Sequence, residues 1–281
     1  IAREENGLNA LVEGAYANID LFGEHLFGSP GGSEQHSGGA NGSMMPDDFR
    51  LSVSLDRFDL KQGVSVRDYD ALVSRTGGRM SDISMSGDFA DAGSFVVRLD
   101  GSDRPIGEEL TVETDNLGAI AGGLFDIASI QGGAGSYRAT MLTGGRVAGT
   151  LDAAGFRVVD APLAARLLSA ASLTGLSDVL TGEGIEFTEV TADIQYDEGT
   201  LNIIDARATG PSLGVSVVGD VDFDGNVFDV NGAVAPVYGV NSMLGNIPGF
   251  GELFVSRKGE GIVAFSYMID GPVNGPVITV N

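Results

Sequence analysis

Along most of this chain apolar side chains recur at every second position, and the runs are separated by dipeptides that reverse a strand. Leu51, Val53 and Leu55 point one way, and Val190, Ala192, Ile194 and Tyr196 repeat the pattern, as do Leu201 with Ile203 and Val215 with Val217. A period of two marks a strand with one face buried and the other wet. Thr76-Gly77-Gly78, Glu198-Gly199, Asp224-Gly225 and Asn274-Gly275-Pro276 stand between such runs. These dipeptides favour hairpins, and therefore antiparallel neighbours. No strand–helix–strand rhythm is present, which argues against a Rossmann or barrel α/β fold. The chain is read as mainly β, a long antiparallel sheet with a few short helices.

Further strands are expected around 64–69, 80–89, 94–99, 137–141, 145–151, 156–159, 185–196, 262–269 and 277–280. The alternation slips phase at Arg57 before Phe58 and Leu60 resume it, which predicts a β-bulge. Three helices are expected. The segment 115–128 carries Gly118, Gly122 and Gly123. The segment 162–180 opens with Pro162 and bears a leucine stripe from Leu163 through Leu167, Leu168 and Leu176 to Leu180. The third runs over 242–246, where Asn241 would cap it and Pro248 would end it. Residues 28–46 are low in complexity and rich in Gly and Ser, a flexible loop by composition. The organisation is therefore 1–27 as the start of the β-region, 28–46 as the loop, 47–146 as an antiparallel β-region with a short helix, and 147–281 as a second β-region carrying the 162–180 helix.

Composition narrows the function classes. Acidic residues number 39 against 16 basic ones, a net charge of −23. Such a chain repels phosphate, so no nucleic-acid partner is expected. Hydrophobic residues make up 43% of the 281, enough for a folded core despite the charge. The 43 glycines are roughly twice the usual share and follow no collagen period. The chain has no cysteine, which excludes disulfides, zinc–thiolate sites and thiol catalysis. No apolar run reaches the roughly 18 residues of a spanning helix, and no signal peptide is visible. The first residue is Ile1, so the chain is expected to be a fragment or processed product with any anchor upstream.

Motifs that resemble catalytic or metal sites lack their partners. Gly210-Pro211-Ser212-Leu213-Gly214 matches the nucleophile elbow, but a strand rather than a helix follows it, and His25 and His36 both lie upstream. Asp220, Asp222 and Asp224 followed by Gly225 resemble the first half of a calcium loop. Asn231 occupies the position of the bidentate glutamate, and the flanks read as strands, so a hairpin with acids on its wet face competes with a weak calcium site. The two histidines lie in or near the Gly/Ser-rich loop without a rigid partner. Gly132-Gly133-Ala134-Gly135 lacks the phosphate-loop lysine. Glu183, Glu186 and Glu189 fall at odd and even strand positions, which face opposite ways. The chain is read as non-enzymatic, with no cofactor and no resident metal.

From about 147 onward an ordered set of short pieces stands out. It includes Gly155-Phe156, Ala161-Pro162-Leu163-Ala164-Ala165-Arg166-Leu167-Leu168, Leu173-Thr174-Gly175-Leu176, Ala206-Arg207-Ala208-Thr209-Gly210-Pro211, Lys258-Gly259-Glu260-Gly261 and Gly271-Pro272. In this order they resemble the C-terminal region of AsmA-like proteins, the AsmA, YhdP and TamB superfamily of Gram-negative envelope proteins. The resemblance covers about half the chain, and 49–129 fits it loosely. It implies a curved β-groove, an inner-membrane anchor upstream of this chain, and passage of phospholipid through the periplasm towards the outer membrane. Envelope or outer-membrane proteins become expected partners. The family carries no catalytic residues, so its function would be spread over the groove.

The expected groove lining is the apolar phase of the strands: Val53, Leu55, Ile83 and Met85, then Val190, Ile194, Tyr196, Leu201 and Ile203, then Val215, Val217, Phe265, Tyr267 and Ile269. A lipid in water exposes about 0.8 kcal/mol per methylene, on the order of 13 kcal/mol for a sixteen-carbon chain. A one-sided apolar sheet covers that chain while the acids keep the outer face soluble. The alternative is an ordinary closed core between two layers, in a structural or interaction module for envelope assembly that binds partners by an exposed sheet edge.

Overall fold

The computed structural model describes residues 2–4, 7–19, 47–101, 107–142, 145–236, 264–273 and 275–281. The protein is mainly β with short helices, and its chain divides into two compact units. Residues 1–128 with 134–149 form the first, and 129–133 with 150–281 the second.

The first unit holds β1 (Ala2–Glu4), β2 (Gly7–Gly14), β3 (Ala17–Asn18), β4 (Phe49–Asp59), β5 (Ser65–Thr76), β6 (Arg79–Phe89), β7 (Ser94–Asp100), β8 (Glu108–Thr114) and most of β9 (Ile130–Met141). From β4 onward each strand pairs antiparallel with the next, as the turn dipeptides require. The N-terminal edge departs from that expectation, because β2 and β3 both run parallel to β4. A two-residue hairpin cannot join parallel strands, so this edge lacks the turn-linked pairing of the rest. Helix α1 (Leu117–Phe125) starts at Asn116, whose side chain accepts from the Ala119 N–H at 3.0 Å, and ends at Asp126 in the left-handed region.

The second unit holds the rest of β10 (Val147–Val158), α2 (Pro162–Ala170), α3 (Thr174–Thr181), β11 (Ile185–Phe187), β12 (Glu189–Asp197), β13 (Thr200–Thr209), β14 (Leu213–Asp222), β15 (Val227–Pro236), β16 (Phe265–Pro272) and β17 (Val277–Val280). Strands β12 to β17 form an uninterrupted antiparallel meander. The Glu198-Gly199 turn has φ of 44° and 81°, the doubly left-handed geometry that matches strand twist.

Several boundaries move. The two strands expected over 145–159 fuse into β10, and 185–196 splits at Thr188 into β11 and β12. The helix expected over 162–180 is two helices, broken where Ser172 takes φ 61° and Leu173 N–H closes onto the Leu168 carbonyl at 2.8 Å. Its N-cap is Ala161, which supplies no side-chain hydrogen bond. The phase slip at Arg57 is present in burial, since Leu55 and Phe58 enter one cluster while Asp56 and Arg57 stay exposed. The β4–β5 ladder runs unshifted there. The bulge belongs to β5 instead, where Asp68 has φ 48° and the β5–β6 register shifts between Arg67 and Asp70. Strands β8 and β15 carry no clear sequence signal. The alternation of β8 rests on Leu110 and Val112 alone, and β15 has apolar or small residues in both phases from Gly232 to Ala235. The expected loop over 28–46 and helix over 242–246 lie outside the described residues.

Candidate apolar binding faces

Residues directly opposite across a ladder point to the same face, so register assigns each side chain a row. In the first unit Val53, Ala71, Met85, Val97, Val112 and Tyr137 form one row across β4 to β9. Leu51, Val73, Ile83, Leu99, Leu110 and Ala139 form the next. Leu55 and Tyr69 begin a third. Val53, Leu55, Ile83 and Met85 therefore share a face. Six strands set such a row at roughly 24 Å, longer than the acyl layer of one bilayer leaflet, about 15 Å.

One end of this face is sealed. Leu55, Phe58, Val66, Phe89 and Phe95 are buried, with Ala119 and Ile120 of α1 packed on their cluster. The Phe58 and Tyr69 rings lie 4.9 Å apart, and those of Phe89 and Phe95 5.5 Å. On the same face Ala71, Leu99 and Ala139 are buried, while Val53, Ile83, Met85, Val97, Val112 and Tyr137 are half-buried, with Val53, Met85 and Val97 packed against that cluster. Burial raises the pKa of Tyr69 and Tyr137, which keeps both hydroxyls neutral in this apolar setting. The reverse face is mostly polar, with Ser52, Leu72, Ser84, Arg98, Thr111 and Arg138 in one row.

The second unit repeats the plan. Tyr196, Leu201, Val221 and Phe228 form a row, and Ile194, Ile203, Gly219, Val230, Ile269 and Ile278 form the next. Ala192, Ala206, Val217, Gly232, Tyr267 and Val280 follow, and then Val190, Ala208, Val215, Val234 and Phe265. All ten lining residues expected here lie on one face. The phase survives a bulge in β13, where Ile204 is displaced outward to 53% exposure and the register shifts in both flanking ladders. Helix α2 seals part of this face. Leu163 and Leu167, four residues apart and so on one side of the helix, pack with Val221, Val230, Tyr267 and Ile269. Ala192 and Val234 on this face are buried. Val190, Ile194, Leu201, Ile203, Val215, Val217 and Phe265 are half-buried, with Leu201, Ile203, Val215 and Val217 packed against the same cluster, and Tyr196 is exposed. On the reverse face Asp193 opposes Asp205 and Asp220, Asp229 and Asp270 stand in one row, while Arg207, Ser216, Ala233 and Ser266 form another in which Ser216 and Ala233 are buried.

Other residues share the faces of the expected ones: Val97, Leu110, Val112 and Tyr137 in the first unit, and Val221, Val230, Phe228 and Ile278 in the second. Leu110, Val112, Phe228 and Val230 lie on strands without a clear sequence signal, and only register places them on these faces.

The motifs resolve into turns. Ser212 sits in the hairpin between β13 and β14, closed by Gly210 N–H to the Leu213 carbonyl at 2.9 Å. Asp222 accepts from Gly225 N–H at 2.7 Å, so it shapes the β14–β15 turn. Asp220, Asp222 and Asp224 are not gathered into a ligand set, and among the described residues no group of three His, Cys, Asp or Glu side chains is placed to hold a metal ion. Gly132 and Gly133 lie within β9, and Glu183, Glu186 and Glu189 are exposed. His25 and His36 lie outside the described residues. Among the described residues no helix is long and apolar enough to cross a membrane.

Comparison with protein-family models, with curated proteins and with solved structures finds no match for this chain.

Proposed function

We propose that the protein is a non-enzymatic carrier of lipid acyl chains, which lie on the apolar sheet faces while headgroups stay in water. The observation that carries this is the half-burial of the apolar rows: in each unit a short helix packs on only part of the face, and the rest keeps large aliphatic side chains partly open to solvent. Partly open apolar rows of this kind offer a surface to an apolar ligand. Polar groups that would fix one ligand pose are scarce among those rows, which suits sliding contact rather than tight capture. The acidic reverse face opposes aggregation of an oil-lined sheet. Together with the AsmA-like sequence pieces, these features support a segment of a phospholipid conduit in the periplasm. Such a conduit would be tied to the inner membrane by a segment upstream of this chain and would deliver towards the outer membrane or its assembly proteins.

The test is native mass spectrometry of gently purified protein combined with photo-crosslinkers placed at Val217 and Met85, and at Val218 and Ser84 on the reverse faces. Phospholipid adducts at the first pair alone support the carrier. Lipid-free protein with no adducts overturns it. A second function, a closed-core interaction module, is favoured by the tightly buried aromatic cluster beneath α1, and lipid-free protein is its expected result.

A further inference from the structure

We infer that helix α2 is a displaceable lid that occupies the acyl-chain site of the second unit. This rests on the carrier function proposed above. The helix lays Leu163 and Leu167 on the apolar face, where a hydrocarbon chain would otherwise sit. Two leucine side chains and a run of methylenes are interchangeable on such a surface, because burial there is non-directional and follows apolar area. The helix is held by packing, with Leu167 and Leu168 buried, rather than by its own ends. It has nine residues, too few to be stable outside its packing. Its N-cap supplies no side-chain hydrogen bond. Non-glycine residues in the left-handed region flank it on both sides, Asp160 at φ 45° and Ser172 at φ 61°. That conformation is strained for residues with a Cβ, and strain of this kind collects at hinges and switches. Beyond the second hinge lies α3, against which α2 packs. On the sheet side the Arg166 guanidinium donates to the Pro276 carbonyl at 2.9 Å, latching the lid beside β17. Displacement of α2 exchanges its leucines for an acyl chain, and its return expels the chain.

The absence of native cysteine makes the test clean. In the full chain, Arg166→Cys and Ile278→Cys, the latter on the face that α2 covers, are joined by a short bismaleimide to lock α2 down. Palmitic acid carrying a diazirine is then photolysed with the locked and unlinked proteins, and adducts are mapped by peptide mass spectrometry. Circular dichroism verifies that both are folded. The expected result is loss of adducts on β12 to β16 in the locked protein, with those on β4 to β6 retained. The single variant Arg166→Ala, without a linker, should raise the β12 to β16 signal severalfold. Equal labelling of β12 to β16 in locked and unlinked protein overturns the lid and leaves the carrier standing. No labelling of either unit in the unlinked protein overturns the carrier, and the lid with it.

Discussion

The Tyr267 hydroxyl donates to the main-chain carbonyl of Ser216 at 2.9 Å, passing from β16 over β15 to β14. It can do so because Gly232, directly opposite Tyr267, has no side chain. A methyl group at Gly232 would overlap both the Ser216 carbonyl oxygen and the tyrosine ring and hydroxyl. Ser216 is tied in twice, since its own hydroxyl accepts from Ala233 N–H at 3.1 Å. The apolar face of the second unit is thus pinned at its centre by one buried polar contact.

Tyr267→Phe should cost about 1–3 kcal/mol, the penalty for leaving a buried carbonyl without its donor. Urea denaturation of the two proteins measures it.

The same residue predicts alkaline lability. Burial raises the folded-state pKa of Tyr267 well above that of an unfolded tyrosine, about 10. A raised folded pKa means that stability is fully present below about pH 10 and is lost as pH climbs beyond it, by up to about 1.4 kcal/mol per pH unit for one group. Tyr69 and Tyr137 shift in the same direction. Tyr267→Phe should therefore flatten, without abolishing, the fall in melting temperature between pH 9 and 11.

Gly232→Ala should be among the most damaging single-methyl additions in the second unit, because the overlap includes backbone and has no flexible neighbour to absorb it. Gly275→Ala, where added atoms meet nothing, is the control. Melting temperatures should fall by several degrees for the first and hold for the second.

On the reverse face Asp229 stands between Asp220 and Asp270. Like charges directly opposed across strands are destabilising, and Asn202 relieves only Asp220, donating to it at 2.7 Å. Asp229→Asn should stabilise the protein by about 0.5 kcal/mol at low salt, and the gain should shrink at high ionic strength.

Val217→Asp separates an open face from a sealed one. On a half-open face the new carboxylate reaches water, so the fold persists while bound lipid is lost. In a closed core it would be a buried unpaired charge and would unfold the unit. Circular dichroism with lipid extraction distinguishes the two outcomes, and Val218→Asp on the reverse face should retain lipid.

The strands were legible in the sequence wherever one apolar phase alternated with polar residues, as at Val215, Val217 and Val221 or Leu51, Val53 and Leu55. Where both phases were apolar or small, as from Gly232 to Ala235, period gave no face and β15 went unseen. The leucine stripe of 162–180 was visible, but its break at Ser172 was not, because nothing local to that residue forbids a helix. Alternation and turn chemistry act between near neighbours, so the amino-acid sequence by itself determined that this protein is an antiparallel β structure with one oily and one acidic side to its strands. Register, the parallel edge of β2 and β3 on β4, the placement of α1 and α2 over part of each face and the reach of Tyr267 to Ser216 were decided only by tertiary structure. Each of those depends on which distant segments meet, and burial across strands has no signature within any one of them.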